Sequence, residues 1–138
     1  GPHNPLTDSQ RRVQAFQAVV NEYAQWLAPD WQVEVRDGLT KDDGETNAQI
    51  NISDSKRCAV IEVSTKLDER LWKTAALHEL IHLAMRDLDM VTAKLMDKSG
   101  YKLFCLYEES VIERILRGFF HSHYPVVDAH CDTAKVDG

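Results

Sequence analysis

Two histidines one helical turn apart, with a glutamate after the first, most constrain what this chain can be. They form His78-Glu79-Leu80-Ile81-His82, inside an uncharged or apolar stretch around residues 74–85. On a helix both imidazoles share a face and can bind one metal ion, while Glu79 lies beside the open coordination position. The alternative is a chance arrangement on an amphipathic helix, which the apolar flanks disfavour. We therefore predict a buried helix with His78 and His82 as metal ligands and Glu79 as catalytic base.

A third protein ligand is expected downstream, because a catalytic zinc site usually takes three. The helical stretch near residue 110 offers Glu108, Glu109 and Glu113. Glu109 and Glu113 are four residues apart and share a face, and carboxylates that face a core need cations. We predict Glu109 as the third ligand and Glu113 as the acceptor of a ligand imidazole N–H. Glu108 is the alternative third ligand. A further alternative is that all three glutamates are solvated surface charges and that Glu113 pairs with Arg117.

With this motif and a glutamate on a later helix, the chain resembles the gluzincin-type zinc metallopeptidases. Within that group it is similar to small cytoplasmic enzymes of bacteria and phages, including the repressor-cleaving ImmA/IrrE type, from about Trp31 to Phe120. It departs from that type at Ile81, where glycine is usual, and at Ser110-Val111, where the type has Glu-Ala-Asn-like residues. The resemblance implies one Zn2+ per chain and an endopeptidase that acts on a cytoplasmic protein.

A second donor is normally needed to stabilise the oxyanion of peptide hydrolysis. Four side chains near the third-ligand helix could supply it, and the sequence leaves them as equal candidates: Tyr101, Tyr107, His121 and His123.

The pattern of apolar residues predicts an α+β fold. A first helix runs from Thr7 or Asp8 to about Ala28, because apolar residues recur there at intervals of three and four residues. Three alternating segments follow and predict a three-stranded antiparallel sheet: Trp31–Arg36, Ala48–Ser53 and Cys58–Ser64.

The rest of the chain is predicted to be helical. Asp68 is the expected N-cap of the metal helix, which runs to about Arg86. Residues 90–98 form a short helix or a lid-like connection, and a closing C-terminal helix from Leu103 to about Phe120 carries Glu109.

The resemblance also implies where substrate binds. In such metallopeptidases the strand nearest the metal helix forms one wall of the cleft, and an extended peptide can add to its free edge. Cys58–Ser64 is the candidate strand. The alternative is that this strand only contributes to the core.

Composition limits the remaining classes of function. A net charge of −6 argues against a general binder of nucleic acid or anionic membranes. No apolar run approaches the roughly 18 residues that span a bilayer. The three cysteines lack paired spacing, which favours a reducing cytoplasm.

We expect one metallopeptidase-like domain over 7–124, preceded at 1–6 by a start that resembles a cloning scar and followed at 125–138 by a tail. Two other functions stay open: a zinc-holding module that binds a protein without cutting it, and a zinc amidohydrolase that acts on a non-peptide substrate.

Overall fold

A computed structural model describes residues 5–39 and 46–120, and over this part the fold is α+β, with four α-helices and a three-stranded mixed sheet. The elements, in chain order, are α1 Asp8–Leu27, β1 Gln32–Leu39, β2 Ala48–Ser53, β3 Cys58–Ser64, α2 Trp72–Ala84, α3 Arg86–Leu95 and α4 Lys98–Phe120. A single 3-10 turn, Glu69–Leu71, precedes α2, and Asp68 caps it.

Helix α1 begins where the sequence predicted, at a reciprocal cap. The backbone N–H of Gln10 donates to the Thr7 hydroxyl, and the backbone N–H of Thr7 donates to the Gln10 side chain. Phe16 and Val20 on one side of the helix are buried. The helix ends before Ala28, so both of its predicted boundaries are confirmed.

The strand order is β1-β3-β2, with β2 antiparallel and β1 parallel to β3. The prediction of a purely antiparallel sheet is therefore wrong. Strands β2 and β3 are joined by a tight turn at 54–57 and pair as a hairpin. The longer connection from β1 to β2 instead leaves the middle position to β3. Alternation of apolar residues fixes which face of a strand is buried, but it does not fix the neighbour or its direction.

This order also overturns the predicted substrate edge. Strand β3, Cys58–Ser64, is hydrogen-bonded on both sides and has no free edge for a peptide. Among the described strands, the free edges belong to β1 and β2. Strand β3 instead contributes to the core, where Ala59, Ile61 and Val63 are almost completely buried.

The helices cover one face of the sheet. Helices α1 and α2 pack against each other, α1 also packs on β1 and α2 on β2, while α4 packs against α2 and α3. Every residue from Thr74 to Leu83 is buried, so the prediction that α2 is central is confirmed. No helix in the two described ranges is long and apolar enough to cross a membrane.

Helix α3 begins directly after α2, four residues before the short helix or lid-like connection that the sequence analysis expected at 90–98. Its first residue, Arg86, is 1% exposed and forms a bidentate ion pair with Asp54 of the β2–β3 turn, at 2.9 and 2.8 Å. This pair ties the junction of the two helices to the sheet. The apolar side of α3 faces outward, since Leu88, Val91 and Leu95 are all more than half exposed.

Candidate metal centre

The two motif histidines point their ring nitrogens at one another in the interior. His78 and His82 are 1% and 5% exposed, and their Nε2 atoms lie 3.1 Å apart. Two neutral imidazoles with facing lone pairs repel each other, so a proton or another cation must lie between them. His82 follows His78 by about one helical turn, so the two rings lie on the same face and the spacing of the motif produces this approach.

Glu109 of α4 completes a three-residue cluster. Its Oε2 lies 3.1 Å from His78 Nε2, and its Oε1 lies 2.5 Å from His82 Nε2. The three side chains can each offer one ligand atom within 4.8 Å of the others. The structure therefore brings together the three residues expected to be ligands.

The dimensions of the cluster suit a metal ion of the size of zinc. Ligand atoms around a tetrahedral zinc, each about 2.0–2.1 Å from it, are about 3.3 Å apart. The two separations of 3.1 Å are close to this value, and the separation of 2.5 Å needs Glu109 to withdraw by less than about 1 Å. Two imidazole nitrogens and one carboxylate oxygen are also a ligand set that zinc accepts, with a fourth position left over.

Both histidines are held from behind by a carboxylate. His78 Nδ1 lies 3.3 Å from Glu113 Oε1, and His82 Nδ1 lies 3.0 Å from Glu108 Oε1. When each Nδ1–H donates to its carboxylate, each Nε2 keeps its lone pair for a metal. Glu113 occupies the position expected of it. Glu108, the alternative third ligand, faces Nδ1 of His82 and not the point where the Nε2 atoms meet.

Sequence reasoning missed one further member of the cluster, Asp89 on α3. Asp89 is 2% exposed and makes a side-chain hydrogen bond with Glu108. Burial, together with this bond and the charge of Glu108, raises the pKa of Asp89 to about 8. Burial also disfavours the charged form of Glu108. The hydrogen bonds of Glu108 with His82 and Asp89 outweigh this effect and lower the pKa of Glu108. Burial and the charge of Glu108 thus favour the protonated form of Asp89.

The neighbouring carboxylates favour the protonated forms of both histidines. Burial alone lowers the pKa of His78, but its hydrogen bonds with Glu109 and Glu113 outweigh burial and raise that pKa to about 9. The pKa of His82 is raised well above its ordinary value in the same way, by Glu108 and Glu109. Burial raises the pKa of Glu109, but the two histidines outweigh it and hold that pKa well below its usual range.

Glu79, the expected catalytic base, lies next to the ligands on α2. It is 3% exposed, and its Oε2 has no hydrogen-bond partner among the residues that the structure describes. Burial raises its pKa, and the charges of His78 and His82 oppose that rise. An inward carboxyl oxygen without a donor is costly for folding alone, but it suits a group that exchanges a proton with a bound molecule.

The four proposed oxyanion donors fare differently. Tyr107 is 63% exposed and lies two residues from Glu109, about 200° around the helix, and its role as an oxyanion donor stays a prediction. Tyr101 is partly buried and its hydroxyl interacts with Cys105, and its role in catalysis stays a prediction. His121 and His123 lie outside the described residues.

Comparisons of this chain with protein-family models, with curated proteins and with solved structures found no match.

Proposed function

We propose that this protein is a zinc-dependent metalloprotease that hydrolyses peptide bonds of a protein substrate. One observation carries the proposal. The Nε2 atoms of His78 and His82 and the carboxylate of Glu109 converge from two helices, beside a buried Glu79 oxygen that has no partner among the described residues. A cluster that served folding alone would have no use for a base at that place.

The residues divide the chemistry among them. Zinc, when bound by His78, His82 and Glu109, supplies a Lewis acid that polarises a carbonyl and makes water more acidic. Glu79 accepts the proton of the attacking water and then delivers it to the leaving amine. Its raised pKa suits both transfers, since a carboxyl group that titrates closer to neutrality can take up a proton and release it again.

Strand β2 is the edge that fits an extended peptide. Among the strands that the structure describes, it is the free edge on the side of the sheet that packs against the metal helix α2, whereas β1 packs against α1. A peptide that pairs with the outer side of β2 gains backbone hydrogen bonds and needs few particular side chains. The free thiols of Cys58 and Cys105 support a reducing compartment such as the cytoplasm as the place where this happens.

Glu79→Gln tests the proposal. We expect one zinc per chain in both wild type and variant by elemental analysis, together with cleavage of a fluorogenic casein or peptide library by the wild type only. Removal of a general base reduces the rate by about 10²–10⁴-fold. Glu22→Gln makes the same change at an exposed position of α1 and should leave activity unchanged. Wild-type cleavage rates in Glu79→Gln would contradict the assignment of Glu79 as base.

Burial of the centre favours a second candidate, a zinc-holding module that binds a partner without cutting it. The three ligands are 1–5% exposed and Glu79 is 3% exposed, which restricts the approach of a peptide. A small hydroxamate that binds zinc separates the two candidates. Binding of the hydroxamate, detected as a change in the visible spectrum of the cobalt-substituted protein, would support the protease. A spectrum that does not respond, without cleavage of any peptide, would support the module.

A further inference from the structure

We propose that Asp89 is a positioning residue for the metal ligand His82, and that it acts through Glu108. The inference rests on the proposed metal centre and extends it by a third helix. Asp89 of α3 hydrogen-bonds to Glu108 of α4, and Glu108 in turn faces the ring of His82 on α2. The chain of contacts thus links all three helices that surround the centre.

The first link fixes the ring of His82. Glu108 Oε1 lies 3.0 Å from His82 Nδ1, and both side chains are 5% exposed. When Nδ1–H donates to this carboxylate, the imidazole is held in one orientation and one tautomer, with Nε2 available to a metal. A ring that was free to rotate would lose part of its affinity, because the ligand atom would have to be ordered on binding.

The second link keeps the carboxylate of Glu108 in place. Glu108 Oε2 and Asp89 Oδ1 are buried, and no N–H group among the described residues donates to either oxygen. Two carboxyl groups can hydrogen-bond only when a proton lies between them. With that proton on Asp89, Asp89 donates to Glu108, and Glu108 remains the acceptor that His82 needs.

The orientation of α3 supports this role independently. The buried side of α3 carries Arg86, Asp89 and Thr92, while Leu88 and Val91 are exposed. A helix that packed by the hydrophobic effect alone would turn the other way. Arg86 is fixed by Asp54, and one turn later Asp89 meets Glu108, so the inward side of α3 is stabilised by its polar partners.

Zinc affinity, measured by competition with a chromophoric chelator at neutral pH, tests the proposal. Asp89→Asn retains a donor, the amide N–H, toward Glu108, so its affinity should stay within about threefold of wild type. Asp89→Leu has a similar size and no donor, and its affinity should fall by about 10–100-fold. Asp87→Leu is the matched control on the same helix, because Asp87 is exposed, and it should bind zinc as the wild type does.

Two results would overturn the proposal: wild-type affinity in Asp89→Leu, or a loss in Asp89→Asn as large as in Asp89→Leu. If Asp89→Leu does not fold, Asp89→Ala takes its place with the same expectation. The visible spectrum of bound cobalt then reports ligand geometry directly, and it should change in Asp89→Ala and not in Asp89→Asn. A wild type that binds zinc without cleaving peptides contradicts the proposed protease and leaves Asp89 its role, whereas a wild type without zinc contradicts both.

Discussion

Replacing Glu109 with glutamine keeps the shape of the side chain and removes the carboxylate charge that lies against both histidine Nε2 atoms. Glu108→Gln is the natural comparison, since Glu108 is the neighbouring residue and was the alternative third ligand. In Glu108→Gln the side-chain oxygen can still accept from His82 Nδ1–H, and the amide can still donate toward Asp89. The two variants therefore separate the role of a ligand from the role of a support.

The structure sets the size of the expected difference. Unit charges about 3 Å apart, as between Glu109 and the imidazoles, attract by roughly 5 kcal/mol at an effective dielectric constant of about 20. Desolvation offsets part of this, and removal of one partner from a buried ion pair costs about 3–5 kcal/mol. Zinc carries twice the charge of an imidazolium. We expect Glu109→Gln to weaken zinc binding at least about 100-fold, or about 2.7 kcal/mol, and Glu108→Gln by less than about tenfold.

Competition with a chromophoric chelator, together with the zinc content after dialysis, measures both affinities. Circular dichroism of each variant checks that the comparison is made between folded proteins. Strong zinc binding by Glu109→Gln together with its loss in Glu108→Gln would make Glu108 the third ligand. The convergence of Glu109 on the Nε2 atoms would then be the wrong basis for the metal centre.

Two further predictions follow from the same structure. His78 has a folded-state pKa of about 9 against an ordinary value of 6.5, so its contribution to the stability of the metal-free protein is complete below pH 6.5 and is lost as pH rises through about 9. Urea unfolding of the chelator-treated protein between pH 6 and 9 measures this loss of stability. Zinc binding should release protons and should become tighter as pH rises, and calorimetry in buffers of different ionisation enthalpy measures both effects. Leu77→Ala should lower the free energy of unfolding by about 2–5 kcal/mol, because Leu77 is completely buried; a loss below about 1 kcal/mol in urea unfolding would contradict the described core.

Local patterns predicted the boundaries of α1, β2 and β3. The boundaries of β2 and β3 match the predicted segments, because a recognisable turn that begins at Asp54 separates the two apolar segments. The predicted antiparallel direction of β1 was wrong, because the same alternation fits a parallel and an antiparallel neighbour. Only the packing of the helices decides between them, since β1 lies beside β3 where α1 can cover it.

Helix α3 shows why part of the centre could not be predicted. From periodicity alone, Leu88, Val91 and Leu95 would form the inward side, and Asp89 would be a surface charge. The structure has the opposite orientation, with Asp89 buried. The observed orientation of the helix is stabilised by contacts with residues distant in the sequence, and a local pattern contains no information about these contacts.

Glu108 and Glu109 illustrate the same limit on α4. Adjacent helical residues point about 100° apart, so a rule based on spacing of three and four chooses only one of them for the buried side. Both are buried because α4 contacts α2 and α3 together. Glu109 was predicted by its spacing from Glu113, whereas the position of Glu108 depends on where α3 packs.

The central position of β3 also orders the events of folding. The β2–β3 hairpin closes over the turn at 54–57, a local step that takes about 1–10 μs in isolated hairpins. Strand β1 has no partner until β3 is present, because it pairs with β3 and not with β2. Its addition closes a longer loop and loses more chain entropy. We therefore expect the hairpin to be the nucleus of the sheet, and we expect β1, together with the N-terminal helix that covers it, to join in a later and slower step.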